Sequence, residues 1–319
     1  MKKIISILIV LTMLITLPFV ASALTPEEPC LYNDPRLDLT QYTLEQVLEM
    51  SPEELNVLLS EFERVYDPFG SYARRQEENQ DSAIAPRWTT SEDADSTHAY
   101  ITTQACGILI NDMGFFINNN TTEQLNAVFS IAVASNLPDN DETDLGTFAG
   151  HFYDPNTGKN YLGITTNTAK SNAITHYQDA YAAAGDNDLS AMYEKIGRCL
   201  HYIQDINVPH HAGNVISTGP SSSHGRFETL AETNIHSYIS NLNTLSSDNY
   251  TVLAGNYVRD IIDIAATDAK SKLTSLENSD PESETWNTIA RYCSRKAVKY
   301  STVIMYKLGQ RSDVPFYYN

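Results

Sequence analysis

The sequence predicts an all-α fold, on two observations. Apolar residues recur three or four apart over five segments of more than ten residues. No run alternates apolar with polar residues in the manner of a half-buried strand, and no Asn-Gly hairpin turn interrupts the pattern. The five segments are 172–184, 189–206, 224–242, 252–273 and 286–308. Loops are expected at 136–154, 209–223 and 278–284, which are dense in Pro, Gly, Asn, Asp or Ser. Together they predict one helical domain over 88–319, with no internal repeat and no second module after Leu308.

Two segments precede that domain. Lys2 and Lys3, an apolar run over 4–17, Pro18 and the small-x-small Ala21-Ser22-Ala23 predict a signal peptide over 1–23 and hence a secreted protein. An uncleaved anchor is the alternative, because the apolar run is nearly long enough to span a bilayer. Residues 24–87 are rich in Glu, Asp, Pro and Gln, with one helix expected over 43–65. Its interrupted apolar face is Leu44, Val47, Leu48, Leu55, Leu58, Leu59 and Phe62. The polar stretch 71–86, containing Arg74-Arg75, reads as exposed and cleavable. Composition alone fits a propeptide over 24–87 and an N-terminal helical arm equally well.

Acidic residues outnumber basic ones 40 to 21, a net charge of −19. This opposes nucleic acid or an anionic membrane held by bulk electrostatics, although a metal site would bring its own positive charge. Four cysteines are too few for a disulfide scaffold. With the leader segments removed, Cys106, Cys199 and Cys293 remain, so at most one bridge is expected.

Chemistry concentrates in the histidines, of which there are eight. His201 and Asp205, and again His224 and Glu228, are His–carboxylate pairs four residues apart on predicted helices. That spacing puts both side chains on one face, within reach of a single ion. Imidazole nitrogen and carboxylate oxygen are ligands that zinc accepts. Leu200, Tyr202, Ile203 and Ile206 surround the first pair, so its face is expected in the interior, where an unpartnered His and Asp would be costly. Pro209 is expected to bend or end that helix and turn His211 in a new direction. A buried hydrogen-bond network explains these residues as well as a metal site does.

The run His201-Tyr202-Ile203-Gln204-Asp205-Ile206-Asn207-Val208-Pro209-His210-His211-Ala212-Gly213-Asn214 resembles the core motif of the bacterial zinc-dependent phospholipases C, the family that includes the alpha-toxin catalytic domain. His151-Phe152-Tyr153-Asp154-Pro155 resembles a second segment of that family, with Asp139 twelve residues before His151. Trp88 stands where the family's mature chain begins, His98 follows ten residues on, and His224 and Glu228 match the last pair. The resemblance runs in order from Trp88 to Glu228. It departs at Val208, where the family often has Gln, and at Asn140, aromatic in some members.

The resemblance implies an all-α, phospholipase C/P1 nuclease-like domain with a zinc cleft holding three Zn²⁺ ions. One set is His151, His201, Asp139 and Asp205; a second is Trp88, His98 and a bridging Asp205; a third is His211, His224 and Glu228. It further implies a phospholipid substrate at a membrane or micelle surface, hydrolysed by metal-activated water to diacylglycerol and a phosphorylated headgroup. Asp139 stands as a ligand or as the base that takes the water proton, while Phe148 and Glu92 are the candidates for headgroup contact. In the family the first residue binds metal through its α-amine and carbonyl. The implied precursor is therefore a zymogen, cut between Arg87 and Trp88 by a processing protease, and its product is expected to act as a monomer. His176, His210 and His236 have no counterpart. A nuclease of the S1/P1 type shares the fold and the three-zinc arrangement. The His-Phe-Tyr-Asp-Pro segment and the His-Ala-x-Asn ending favour the phospholipase, with no nucleic acid as partner. A secreted metal-binding or adhesion protein with a degenerate site is the non-enzymatic alternative.

Overall fold

In the computed structural model, which describes residues 37–70, 97–114, 121–142, 144–281 and 283–310, local capping rules set the first helices. After a 3₁₀ turn at Leu39–Gln41 come α1 (Leu44–Glu49) and α2 (Pro52–Tyr66). The single helix expected over 43–65 is thus two. Ser51 precedes a proline and is held extended, so it ends one helix and caps the next. Thr43 with Gln46, and Ser51 with Glu54, form reciprocal capping boxes.

Next follow α3 (Thr97–Met113), α4 (Thr121–Ala134), α5 (Leu137–Asp141) and α6 (Leu145–Phe148), the last running into a 3₁₀ turn at Ala149–His151. The chain continues as α7 (Ala169–Gly185), α8 (Leu189–Asp205), α9 (Pro209–Ala212), α10 (Ser223–Ile239), α11 (Val258–Glu277) and α12 (Glu284–Gly309). All belong to one compact unit, Tyr32–Asn319. Among the described residues the one β-type pairing is the isolated bridge between Asp154 and Lys159.

The prediction of an all-α fold therefore holds, and its misses have physical reasons. Helices α3 and α4 were not among the five periodic segments. Every residue of α3 from Thr97 to Leu109 is buried, so no polar face sets a period. The expected loops 136–154 and 209–223 contain the short helices α5, α6 and α9. Asp144 caps α6 by accepting from Gly146 and Thr147, and Pro209 occupies the first turn of α9. Pro209 begins a new helix rather than ending the old one, since α8 already stops at Asp205.

Helix α8 is the hub. It packs against α7, α4, α12 and α3, and every residue from Cys199 to Asp205 is buried. Close approach to α4 depends on Gly197: a Cβ there would lie 2.5 Å from Ala134 Cβ and 2.6 Å from the Ile131 carbonyl oxygen. Helices α1 and α2 lie on α3 and α4. Leu48 fills the space beside Gly107, the Leu48 carbonyl accepts from Gln104 Nε2 at 3.2 Å, and the rings of Phe62 and Phe129 meet edge-on at 5.5 Å. Cys106, Cys199 and Cys293 are free and buried, so the single bridge that the count allowed is not formed among them. Burial pushes all three thiols up, away from the reactive thiolate. Among the described residues no helix is long and apolar enough to cross a membrane.

The Gly197 contact yields a test of this packing. In an open helix Gly→Ala stabilises by roughly 0.5–1 kcal/mol. Here Gly197→Ala is expected to destabilise by about 1–3 kcal/mol through overpacking. Urea unfolding that shows equal or greater stability would contradict the α4–α8 approach.

Candidate metal centre

Seven of the nine residues proposed as protein ligands from sequence need helix ends or short turns to meet, and the fold supplies them. Asp139 lies in α5, whose first turn contains Pro138. His151 closes the 3₁₀ turn, and His201 and Asp205 occupy the last turns of the buried end of α8. His211 lies in α9, and His224 and Glu228 lie on the first turns of α10, capped by Ser222. His98, the eighth, is the second residue of α3. All eight are buried. Trp88, the ninth, and Glu92 lie outside the described residues.

Three groups of side chains converge to within 4.8 Å between their ligand atoms: His98, His201 and Asp205; Asp139, His151 and His201; and His211, His224 and Glu228. The two oxygens of Asp205 divide between them. Oδ2 is 2.8 Å from His151 Nδ1 and 3.1 Å from His201 Nε2, while Oδ1 is 3.6 Å from His98 Nε2 and 3.8 Å from His211 Nδ1. Asp139 Oδ1 is 3.6 Å from His201 Nε2 and 3.7 Å from His151 Nδ1, and its Oδ2 is 3.8 Å from His98 Nε2. In the third group Glu228 Oε1 is 3.2 Å from His211 Nε2 and 2.9 Å from His224 Nε2.

These residues fit a divalent cation on three grounds. Tetrahedral zinc with ligands about 2.0–2.1 Å away holds its donors about 3.3 Å apart, the middle of the range seen here. The outer ring nitrogens of His98, His201 and His211 are tied to carbonyl oxygens, which fixes the tautomer. His98 Nδ1 donates to Gln204 Oε1 at 2.7 Å, His201 Nδ1 to the Ser135 carbonyl at 2.8 Å, and His211 Nδ1 to the His151 carbonyl at 2.9 Å. Each then turns an Nε2 lone pair toward the carboxylates. Lastly, Glu228 Oε2 is buried with no hydrogen-bond partner among the described residues, a costly state for a carboxylate oxygen unless a cation satisfies it.

Burial and close charges shift the titration of these groups in opposite directions. Burial and the neighbouring His201 push His98 down to about 3. Burial opposes a charged His151, but hydrogen bonds to Asp205 and Glu142 outweigh it and raise that imidazole well above its ordinary value. Burial alone would raise Asp205, yet His201 and His211 hold it well below the usual carboxylate range. Glu228, likewise buried, is brought down to about 2 by His224 and His211.

The remaining histidines divide. His236 Nδ1 is 2.6 Å from the Tyr100 hydroxyl, His176 stacks on Tyr202, and His210 stacks on His224 at 4.9 Å beside Phe227. His210 is fully buried, and burial with the neighbouring His224 pushes it down to about 3, so it sits as a neutral core ring. Phe148 is half-buried with its ring 5.0 Å from His151.

No family model matches the chain. Among curated proteins, the phospholipase C of Bacillus cereus is 26% identical over 197 residues, which is 58% of this chain and 63% of that one. The phospholipase C of Clostridium novyi is 30% identical over 163 residues, 47% of this chain and 41% of that one. Of solved structures, the alpha toxin from Clostridium absonum superposes with a TM-score of 0.60 at 24% identity, covering 71% of this chain and 67% of that one. The Clostridium perfringens alpha-toxin gives 0.56 at 26% identity, covering 66% and 62%. The chain is thus similar in sequence and in fold to bacterial phospholipases C. It spans less than two thirds of the length of those curated phospholipases.

Sequence reasoning missed the residues that orient the cluster. Ser135 acts through its backbone, which leaves no sequence signal. Gln204 and Glu142 had one. Gln204 lies three residues after His201 on the same helix, and Glu142 three after Asp139, both spacings that share a helix face. Gln204 links two helices, since its Nε2 also donates to Thr102 Oγ1 at 2.9 Å. Gln204→Leu removes the acceptor of His98 and the donor to Thr102, and is expected to destabilise the protein by about 1–3 kcal/mol. Chemical denaturation checks this, and a change of only a few tenths of a kcal/mol would mean that Gln204 does not carry the α3–α8 junction.

Proposed function

We propose that the chain is a secreted zinc-dependent phosphodiesterase that hydrolyses phospholipids to diacylglycerol and a phosphorylated headgroup. The observation that carries this is Asp205, buried and sharing its two oxygens between the His98 and the His151–His201 groups, as a bridging ligand does. One ion would be held by Asp139, His151, His201 and Asp205, and a second by His98, Asp205 and the Trp88 amine and carbonyl. A third would be held by His211, His224 and Glu228. Nitrogen and oxygen donors without thiolate suit zinc. Bound zinc supplies Lewis acidity, lowering the pKa of water and stabilising charge on phosphate oxygens.

The chain's own groups do the rest. Asp139, facing three histidines, is a ligand or accepts the proton of the attacking water. The half-buried ring of Phe148 beside His151 offers a cation–π face to a quaternary or primary ammonium headgroup. Glu92 is the proposed charge partner for that headgroup. A net charge of −19 disfavours nucleic acid, and the relatives' names support a phospholipid substrate over the S1/P1-type alternative. The protein is read as monomeric, exported by residues 1–23 and carrying a propeptide over 24–87.

The test is a paired assay on phosphatidylcholine–phosphatidylethanolamine micelles and on single-stranded DNA. Lipid hydrolysis that is abolished by chelation and restored by zinc is expected, with DNA left intact. DNA cleavage without lipid hydrolysis would favour the nuclease.

Maturation gives a second test. A peptide nitrogen is not available to a metal, whereas a free α-amine, with a pKa near 8, is. N-terminal sequencing of the active secreted form is therefore expected to begin at Trp88. Full activity in a form that begins elsewhere would remove the amine from the site.

A further inference from the structure

Among the site histidines, His151 is reversed. His98, His201 and His211 each face the carboxylates through Nε2 and tie Nδ1 to a carbonyl oxygen. His151 instead turns Nδ1 inward, to Asp205 Oδ2 at 2.8 Å and His201 Nε2 at 2.9 Å, and its Nε2 points outward. Among the described residues no backbone carbonyl meets that outer nitrogen. It faces Glu142 Oε2 at 3.4 Å, and among the described residues neither of these two buried atoms has another hydrogen-bond partner.

The surroundings hold Glu142 there. It is the C-cap of α5, and its backbone N–H donates to the Pro138 carbonyl at 2.8 Å. The hydroxyl of the buried Tyr202 on α8 donates to its other oxygen, Oε1. Next to it Asp141 pairs with Arg198 at 2.5 Å, one turn before Tyr202 on the same helix, which ties the end of α5 to α8 twice. Gly150 leaves the room: a Cβ there would stand 3.1 Å from Glu142 Oε2 and 2.5 Å from Asn172 Nδ2.

We propose that Glu142 is a positioning residue that accepts the Nε2–H of His151, so that Nδ1 is the lone-pair atom turned to Asp139, His201 and Asp205. A carboxylate on the outer nitrogen fixes the ring's orientation and makes the inner nitrogen a stronger donor. It also answers two buried polar atoms at once. The inference rests on the metal-site reading above, and it assigns Glu142 to one of the three groups alone.

The test is cobalt titration of the metal-stripped full chain, followed by visible absorption and chelator competition. Glu142→Gln keeps an acceptor but loses the charge, and it is expected to weaken one site by roughly 10–100-fold while the others keep wild-type affinity. Tyr202→Phe is expected to weaken the same site by less. Neither variant opens a large cavity, so both should fold, and melting of the metal-free proteins checks this. A Glu142→Gln protein that melts lower without metal yet binds cobalt with wild-type affinity at every site would overturn the positioning role alone. Wild-type protein that takes up no cobalt would overturn the metal-site reading, and the positioning role with it.

Discussion

The constraint on which this fold depends is the burial of Asp205. A carboxylate at the centre of a helical core is tolerated only if donors or positive charge meet both of its oxygens. Four imidazoles from four separate parts of the chain come within 3.8 Å of them: His98 from α3, His151 from the 3₁₀ turn, His201 from α8 itself and His211 from α9. The architecture can be read as the means of bringing them there. Helix α8 carries the acid into the middle, α3 packs beside it, and the short elements flanking α7 and α8 deliver the others.

Local spacing made part of this legible beforehand. His201 with Asp205 and His224 with Glu228 lie one turn apart on amphipathic helices, so both the helix and the pair can be read from one stretch. Asp139 and His151 are different. They sit on α5 and a 3₁₀ turn inside a segment whose composition says loop, and only the resemblance singled them out. Helix α3 stayed hidden because burial on all sides removes the polar stripe that marks a helix. The cysteines show the reverse case, where a count permitted a bridge and packing assigned each thiol a separate place in the core. The orienting contact of Ser135 is made by its backbone and cannot be seen in a linear pattern, whereas Gln204 and Glu142 carry only the weak signal of lying three residues from a site residue.

The dipeptide His151-Phe152 joins the groups mechanically. The side chain of His151 belongs to one group, and its carbonyl accepts from His211 of another. The Phe152 ring then stacks on His211 at 4.5 Å and meets His224 edge-on at 5.9 Å. Spacing between the groups is therefore set by a few backbone bonds in a fully buried turn, not by flexible side chains. A shift of that turn would move both groups together.

The packing of α2 has a consequence for any cut made further along the chain. Leu55, Leu58, Leu59 and Phe62 are buried, and the Tyr66 hydroxyl reaches back to the Leu37 carbonyl at 2.9 Å. Breaking one peptide bond after residue 70 abolishes none of these contacts. Each fully buried apolar side chain resists exposure by about 1.5–3 kcal/mol. The severed N-terminal piece would then behave as a tightly held peptide ligand, and its departure would follow its own dissociation rate rather than the moment of scission.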